Sequence, residues 1–404
     1  MKRGKALNRA LDFWLGIPAL NLLASLRRPG KYPVEPRRIG LFFNPALGDT
    51  LLASAAVLDI RTHFPRATLI LFAASSNVSA ANLLPEIDSI KVLPITHPLK
   101  SIRILRQSKL DLMLDFTAWQ RLTAIYSLLS GARYTVGFER KGQYRHRGYD
   151  QTVPHLGSCH ELENIRRLSR SLGSKAEHPP RLLISAGPLP RVVSEGRKIV
   201  VLHAWASGSQ RSQREWPDDS WVHLARRLMV PGRVFLLTGA PSDEDRCEAL
   251  RQSLVAHGLP AKILVGRDGL GEIARVFTHA EMLVSVNTGI MHLGAILGVP
   301  TISINGPTAS HRWGPVGPRV ANVCPADGSG GFLDLGFEFH GHSRDTMRKI
   351  LVEDVLRAIR GLSGIQPNWG AATSLPARAP ASSRAIEEPV VPASALLLKP
   401  GRGA

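Results

Sequence analysis

Leu283–Pro315 reads LVSVNTGIMHLGAILGVPTISINGPTASHRWGP, and its hydrophobic pattern changes period along its length. A short apolar run, Met282–Val286, predicts a buried strand that stops at Asn287-Thr288-Gly289. Helical spacing follows through Met291, Leu293, Ala295 and Leu297 until Gly298 and Pro300 end it. A second β-branched run, Thr301–Ile304, breaks at Asn305-Gly306-Pro307-Thr308. Strand, helix and strand in this order make one βαβ unit of a parallel sheet. Such sheets bind ligands outside the carboxyl ends of their strands, where helix N-termini offer free N–H groups to anions. Thr288-Gly289 and Pro307-Thr308 fall at such ends, which predicts a phosphate-bearing ligand between two loops. Helix capping is the alternative role for Thr288 and Thr308.

The same alternation runs outward through the 404 residues. Strands are predicted at Ile39–Phe43, Thr68–Phe72, Ile90–Leu93, Leu110–Leu114 and Tyr134–Gly137, with helices between them, the first over Thr50–His63. Residues 38–178 therefore read as one doubly wound domain, 179–197 as a Pro/Gly/Ser-rich linker and 198–362 as a second α/β domain. A late helix, Arg344–Arg360, is expected to pack back across the domains. Residues 363–404 are Pro/Ala/Ser-rich and read as a disordered tail.

With 44% hydrophobic and 21% charged residues, the composition is that of a globular protein. Three scattered cysteines argue against a disulfide framework or a zinc site and for a reducing, cytoplasmic compartment. The net charge of +19 calls for an anionic partner. No nucleic-acid motif is present, so nucleic acid is set aside in favour of phosphates and an anionic membrane surface. Residues 1–37 carry the clearest such signal, because basic side chains flank the apolar stretch Phe13–Leu26. Its interruption by Pro18 and Asn21 suits a segment lying in the headgroup region better than a spanning helix. A signal peptide and a helix packed on the protein's own core are the alternatives.

Several residues could carry chemistry. Asp49, after Gly48 at the first strand–helix turn, is placed to accept a proton from a substrate hydroxyl; a helix cap is the alternative. Ser207, Gly208 and Ser209 with Arg214, ahead of a helix, make a diphosphate clamp or else a solvated basic loop. His292 lies one turn beyond Thr288, over the phosphate loop, unless it is structural. Asp243-Glu244-Asp245 follows Ser242, which is read as a helix cap, so these acids fill a first turn and do not form a metal site. Asp243 or Glu244 can still reach a ribose hydroxyl.

Together these segments resemble glycosyltransferase family 9, the ADP-heptose:lipopolysaccharide heptosyltransferase family, over about Arg38–Arg360. The motifs are Ala46-Leu47-Gly48-Asp49-Thr50-Leu51, then His203 to Arg214-Glu215-Trp216-Pro217, then Leu237-Thr238-Gly239-Ala240-Pro241, then Asn287 to Pro315. The resemblance implies the GT-B architecture, two doubly wound Rossmann-like domains facing each other across a cleft. It also implies inverting, metal-independent transfer of heptose from ADP-heptose to a lipopolysaccharide-core or related lipid-linked acceptor, without a cofactor, at the inner membrane. By the same likeness Asp49 is the general base; Ser207, Ser209, Arg214, Thr288, Gly289 and His292 surround the donor diphosphate; Asn287 meets the donor sugar; and Asp243 or Glu244 approaches the nucleoside. Acceptor recognition is expected in Gly137–His155, with Arg140, Lys141, Arg145, His146 and Arg147. Two positions depart from the family pattern: Arg214 replaces lysine and Asn287 replaces aspartate. Other readings of the same residues are a different donor or acceptor, or a non-catalytic membrane-associated nucleotide-sugar binder.

Overall fold

The computed structural model describes residues 12–43, 46–187, 189, 197–208, 210–266, 269–334 and 345–363. The first domain holds β1 (Arg38–Phe43), β2 (Thr68–Ala73), β3 (Ser89–Val92), β4 (Leu112–Asp115), β5 (Tyr134–Glu139) and β6 (Gln151–Pro154). The second holds β7 (Lys198–His203), β8 (Arg233–Thr238), β9 (Ala261–Leu264), β10 (Ala280–Val286), β11 (Thr301–Ile304) and β12 (Val320–Val323). Each set forms a six-stranded sheet, in the orders β3-β2-β1-β4-β5-β6 and β12-β11-β10-β7-β8-β9. All described pairings are parallel. These are the two doubly wound domains of the GT-B architecture. Helices cover both faces, so the central strands read as unbroken apolar runs: β1 is buried after Arg38 and β8 throughout.

Strand order reverses between β1 and β4 in one sheet and between β7 and β10 in the other. A crevice opens at each reversal, beside the carboxyl ends of those strands. The chain leaving β1 carries Asp49, and the chain leaving β10 carries Asn287 to Gly289.

Three expectations need correction. The single helix expected over Thr50–His63 is two, Leu47–Leu52 and Ser54–His63, with Ala53 turning between them. Asp49 therefore lies inside a first helical turn, where its negative charge complements the helix dipole. The late helix is Val352–Ser363, and its packing among the described residues is within the second domain. Val355, Leu356, Ile359 and Leu362 sit in one core with Trp216, Trp221, Ile302 and Ile304 of the second domain. Strands β6 and β12 were not anticipated; as short edge strands, QTVP and VANV lack a long apolar run. The linker is docked where it is described, with Arg181 N bonded to Ser54 Oγ at 3.1 Å and Leu183 N to Leu83 O at 2.8 Å. The tail from residue 364 and the first eleven residues lie outside the described residues.

The N-terminal apolar stretch forms a helix, Gly16–Ser25, that lies on the first domain. Leu20 is fully buried against Ala124 and Tyr149, and Gly16 abuts the Arg121 side chain. Asp12 pairs with Arg121 at 3.0 Å, and Arg27 pairs with Asp150. The opposite face leaves Trp14 72% and Leu26 76% exposed, with Leu15 and Leu22 beside them. Among the described residues no helix is long and apolar enough to cross a membrane.

Apolar and charged contacts both join the domains. An apolar cluster runs from Leu51, Ala80 and Leu83 through Leu182 of the linker to Val201, Ile273 and Leu293. Beside it Arg312, 1% exposed, reaches Glu161 of the first domain at 3.1 Å and Asp334 of its own. Glu161 also meets His155 at 3.1 Å and Asn164 at 3.3 Å. Burial works against its charge, yet His155 and Arg312 together hold its carboxyl below the usual value. That stabilisation is complete above the unfolded carboxyl pKa and is lost as pH falls through the folded one. Replacement Arg312→Met strands a buried carboxylate and should cost about 3–5 kcal/mol in denaturant unfolding at neutral pH. The deficit should narrow at acid pH, where Glu161 takes up a proton.

Candidate active site at the domain interface

The two loops meet through glycine. A Cβ on Gly48 would stand 2.7 Å from His292 Cδ2 and 3.4 Å from Gly289 Cα. A Cβ on Gly289 would stand 2.4 Å from Leu47 Cδ2 and 3.0 Å from Gly48 N. Neither contact admits a side chain, so the Leu47–Leu52 and Gly289–Ile296 helices pack start to start only because both residues are glycine. Asp49, half-buried, is thereby held beside the Thr288-Gly289 loop of the other domain.

Thr288 is the N-cap of the Gly289–Ile296 helix by backbone, φ −149 and ψ 176, yet its side chain makes no capping bond. Its Oγ1 is buried and has no protein partner, and neither has Nδ1 of His292. Capping does not account for either group. Burial, reinforced by the neighbouring His160, pulls the His292 pKa down to about 3, so its ring is neutral and can serve as acceptor or neutral donor. Thr308, by contrast, is not a helix cap: it pairs with Leu333, and Ala309 is the N-cap of Ser310–Trp313.

In the second domain, after β7, Arg214 ends a short 3-10 turn, Arg211–Arg214, and donates to the Ser207 carbonyl. Burial lowers its pKa, against the pull of Glu215, leaving a cation poorly served by solvent. Ser207 is exposed beside it, while Ser209 lies outside the described residues. His203, buried at the end of β7, bonds Thr238 at 2.9 Å; burial lowers its pKa to about 4, and it ties β7 to β8 without reaching the loop's polar atoms.

Asp243, not Ser242, is the N-cap of the helix Glu244–Ala256. Its Oδ2 accepts from Ala240 N at 3.2 Å, and Arg211 and Arg246 each approach its Oδ1 at 3.7 Å. The cap moves because Pro241–Asp243 form a 3-10 turn ahead of the helix. Glu244 is half-buried in the first turn. Arg246 lies 4.2 Å from the centre of the Trp205 ring and pairs with Glu215, an arrangement not visible in sequence spacing. Asn287 donates to Asn305 Oδ1 at 2.7 Å and to the Trp313 carbonyl at 2.8 Å. No group of three or more metal-ligating side chains occurs among the described residues.

In the first domain the Gly137–His155 segment builds a pocket of about 410 Å³ lined by Glu139, Arg140, Lys141, Tyr144, His146 and His155. Tyr144 holds a left-handed backbone at φ 56, an unfavourable state for a residue with a side chain. Its neighbour Arg145 explains how this is sustained. Expected as an acceptor contact, Arg145 is instead fully buried, bonded to Asp115 at 2.9 Å, to Tyr149 and to Thr117. It anchors the loop and leaves Lys141 and His146 exposed, while Arg140, half-buried, lies over the Trp119 ring and pairs with Asp334 at 3.3 Å.

Comparison with known proteins supports the fold and the family. The profile of "Glycosyltransferase family 9 (heptosyltransferase)" matches residues 99–329. Lipopolysaccharide heptosyltransferase 1 of Escherichia coli O18:K1:H7 is 33% identical over 174 residues, 42% of this chain and 50% of that protein. The chain thus spans about half the length of that relative. Lipooligosaccharide heptosyltransferase 2 of Campylobacter jejuni serotype O:2 is 27% identical over 268 residues, 65% of this chain and 78% of that one. The solved E. coli ADP-heptose lps heptosyltransferase II superposes with a TM-score of 0.65 at 18% identity, covering 80% of this chain and 98% of that one. E. coli heptosyltransferase WaaC with ADP gives 0.59 at 19% identity, covering 80% and 99%. The profile match takes in more than half of the chain, and the chain belongs to glycosyltransferase family 9.

Proposed function

We propose that this protein transfers heptose from ADP-heptose, with inversion and without a metal, to a hydroxyl of a lipopolysaccharide-core or related lipid-linked acceptor. The observation that carries the reading is the glycine contact that sets Asp49 of one domain beside Thr288, Gly289 and His292 of the other. The donor diphosphate lies at the N-terminus of the Gly289–Ile296 helix, where backbone N–H groups, the buried Thr288 hydroxyl, the neutral His292 ring and Arg214 receive it. Ser207 stands beside Arg214, Ser209 is a further proposed contact to the diphosphate, and Asp243 or Glu244 takes the ribose. The uncommitted Oδ1 of Asn287 accepts from a sugar hydroxyl. Asp49 removes the acceptor proton as the acceptor oxygen bonds to the anomeric carbon. The bond from that carbon to the diphosphate breaks, and its electron pair leaves on ADP. Arg214 and the helix dipole take up the charge that develops there.

The acceptor end is anionic in this reading. Arg140 and Lys141 meet its charged groups and Tyr144 stacks on a sugar ring. The Gly16–Ser25 helix neighbours this loop: Arg121 bonds Asp12 and, at 3.3 Å, the Gly142 carbonyl. Its apolar outer face therefore rests on an anionic leaflet at the cytoplasmic side of the inner membrane and brings the pocket to the lipid.

Asp49→Asn should lower heptosyl transfer from ADP-heptose by about 10²–10⁴-fold while ADP binding, read by calorimetry, stays within threefold. Turnover that survives the substitution removes Asp49 as the base. Arg214→Ala should weaken ADP binding by about tenfold or more. For the surface, the triple substitution Trp14→Ser, Leu22→Ser, Leu26→Ser should reduce co-sedimentation with anionic vesicles at least about tenfold. Its unfolding midpoint should not change. Equal sedimentation of the two proteins refutes the docking face.

A further inference from the structure

We infer that the Asn287 amide is a positioning residue, joining the start of the donor-loop helix to the Arg312–Gly314 turn seated on the acceptor domain, and that this position demands an amide. The reasoning begins with which atoms can donate. The Trp313 carbonyl only accepts, so the atom of Asn287 that meets it at 2.8 Å is Nδ2. The same Nδ2 donates to Asn305 Oδ1 at 2.7 Å. Asn305, fully buried, is fixed in the same way, because its Nδ2 meets the Ser303 carbonyl at 3.0 Å. That nitrogen also donates to Asn322 Oδ1 at 2.9 Å, which leaves Asn305 Oδ1 to accept from Asn287 and, at 3.1 Å, from Ser303 Oγ. Three amides thus run across the ends of β10, β11 and β12 in a single direction of donation.

The relay ends on the turn that grips the other domain. Asn322 packs so closely on Gly314 that a Cβ there would lie 2.9 Å from its Nδ2. The Gly314 carbonyl meets His160 Nε2 at 3.0 Å, and Arg312 is buried on Glu161. Asn287 directly precedes Thr288, so the diphosphate loop is tied to the turn that meets His160 and Glu161 of the acceptor domain, and the tie at position 287 needs a side chain that donates twice. A carboxylate at 287 would set oxygens against two acceptors. The aspartate of the family pattern could not make this connection in its ionised form.

The test uses the full chain and its Asn287→Asp variant, with and without Asn305→Ala. Ligand-free thermal unfolding is followed from pH 5.5 to 8.5, and ADP binding by calorimetry at both ends of that range. The groups that titrate or carry charge around this corner are Asp49, His160, Glu161, His203, His292, His311, Arg312 and Asp334. All are common to both proteins, so the difference between wild type and variant isolates position 287. At pH 8.5 the variant should unfold about 3–6 °C lower and bind ADP at least about tenfold more weakly. Both gaps should close as pH falls and a protonated carboxyl regains one donor. In the Asn305→Ala background the cost of Asn287→Asp should fall by about half, because one opposing oxygen is gone. A gap that does not vary with pH, or wild-type ADP affinity in the variant at pH 8.5, overturns the inference. The inference rests on the proposed donor site only for the ADP arm. If wild type binds no ADP, that site assignment fails, and the pH-dependent unfolding gap alone decides the relay.

Discussion

Everything in the cleft depends on the close approach of two helix starts, Gly48 against Gly289. Each helix begins where a strand at a point of reversed strand order ends, so each directs unsatisfied N–H groups toward the cleft. Bringing two such ends together concentrates partial positive charge, which opposes closure of the empty cleft and favours an anion inside it. Asp49 offsets part of this charge from within the first turn of its own helix. The remainder faces the Thr288 loop, where a hydroxyl and an imidazole nitrogen are buried without protein partners. Buried polar atoms left unpaired are costly, and here they occur side by side.

The approach is held from outside the cleft. The apolar cluster around Leu51, Leu182 and Leu293 supplies non-directional attraction, and Arg312 supplies direction. A guanidinium with carboxylates on both sides, removed from water, is rigid in angle, whereas a hydrophobic patch can slide. Its partner Asp334 also receives Arg140 from the rim of the Gly137–His155 pocket at 3.3 Å. One carboxylate therefore links that pocket to the Arg312–Gly314 turn.

Much of this was legible in the sequence, and the parts that were not share a physical reason. Strands β1, β10 and β11 stood out because a sheet covered on both faces needs unbroken apolar runs. Asp49, Thr288 and Gly289 stood out because they follow such runs directly. Arg312 and Glu161 did not: a buried, paired arginine has the same letter as a solvated one, and its partner lies 151 positions away. Arg145 failed in the same way, read as a surface cation when Asp115 and Tyr149 enclose it. The late helix went astray because its apolar stripe specifies that it packs, but not against which domain. The Asn287 substitution was visible as a departure, yet its meaning required Asn305 and Asn322, which sequence spacing does not place together.

The buried arginines also bear on the charge of the molecule. Arg121, Arg145 and Arg312 are each answered by a carboxylate, from Asp12, Asp115 and Glu161 respectively, so they add nothing to the imbalance. The surplus of +19 is therefore borne outside the core. A surplus spread over a whole surface attracts anions without orienting the molecule toward them, since orientation needs asymmetry. The asymmetry here comes from the N-terminal helical segment, where the exposed Leu22 of the Gly16–Ser25 helix and the adjoining Trp14, Leu15 and Leu26 lie on one domain. Long-range charge and short-range apolar contact then play separate parts in the proposed docking. Charge raises the local concentration at a negatively charged boundary within about 8–10 Å, and the apolar face selects which side of the protein meets it. Because Arg121 joins that helix to the loop around Gly142, the side selected is the one that bears the pocket.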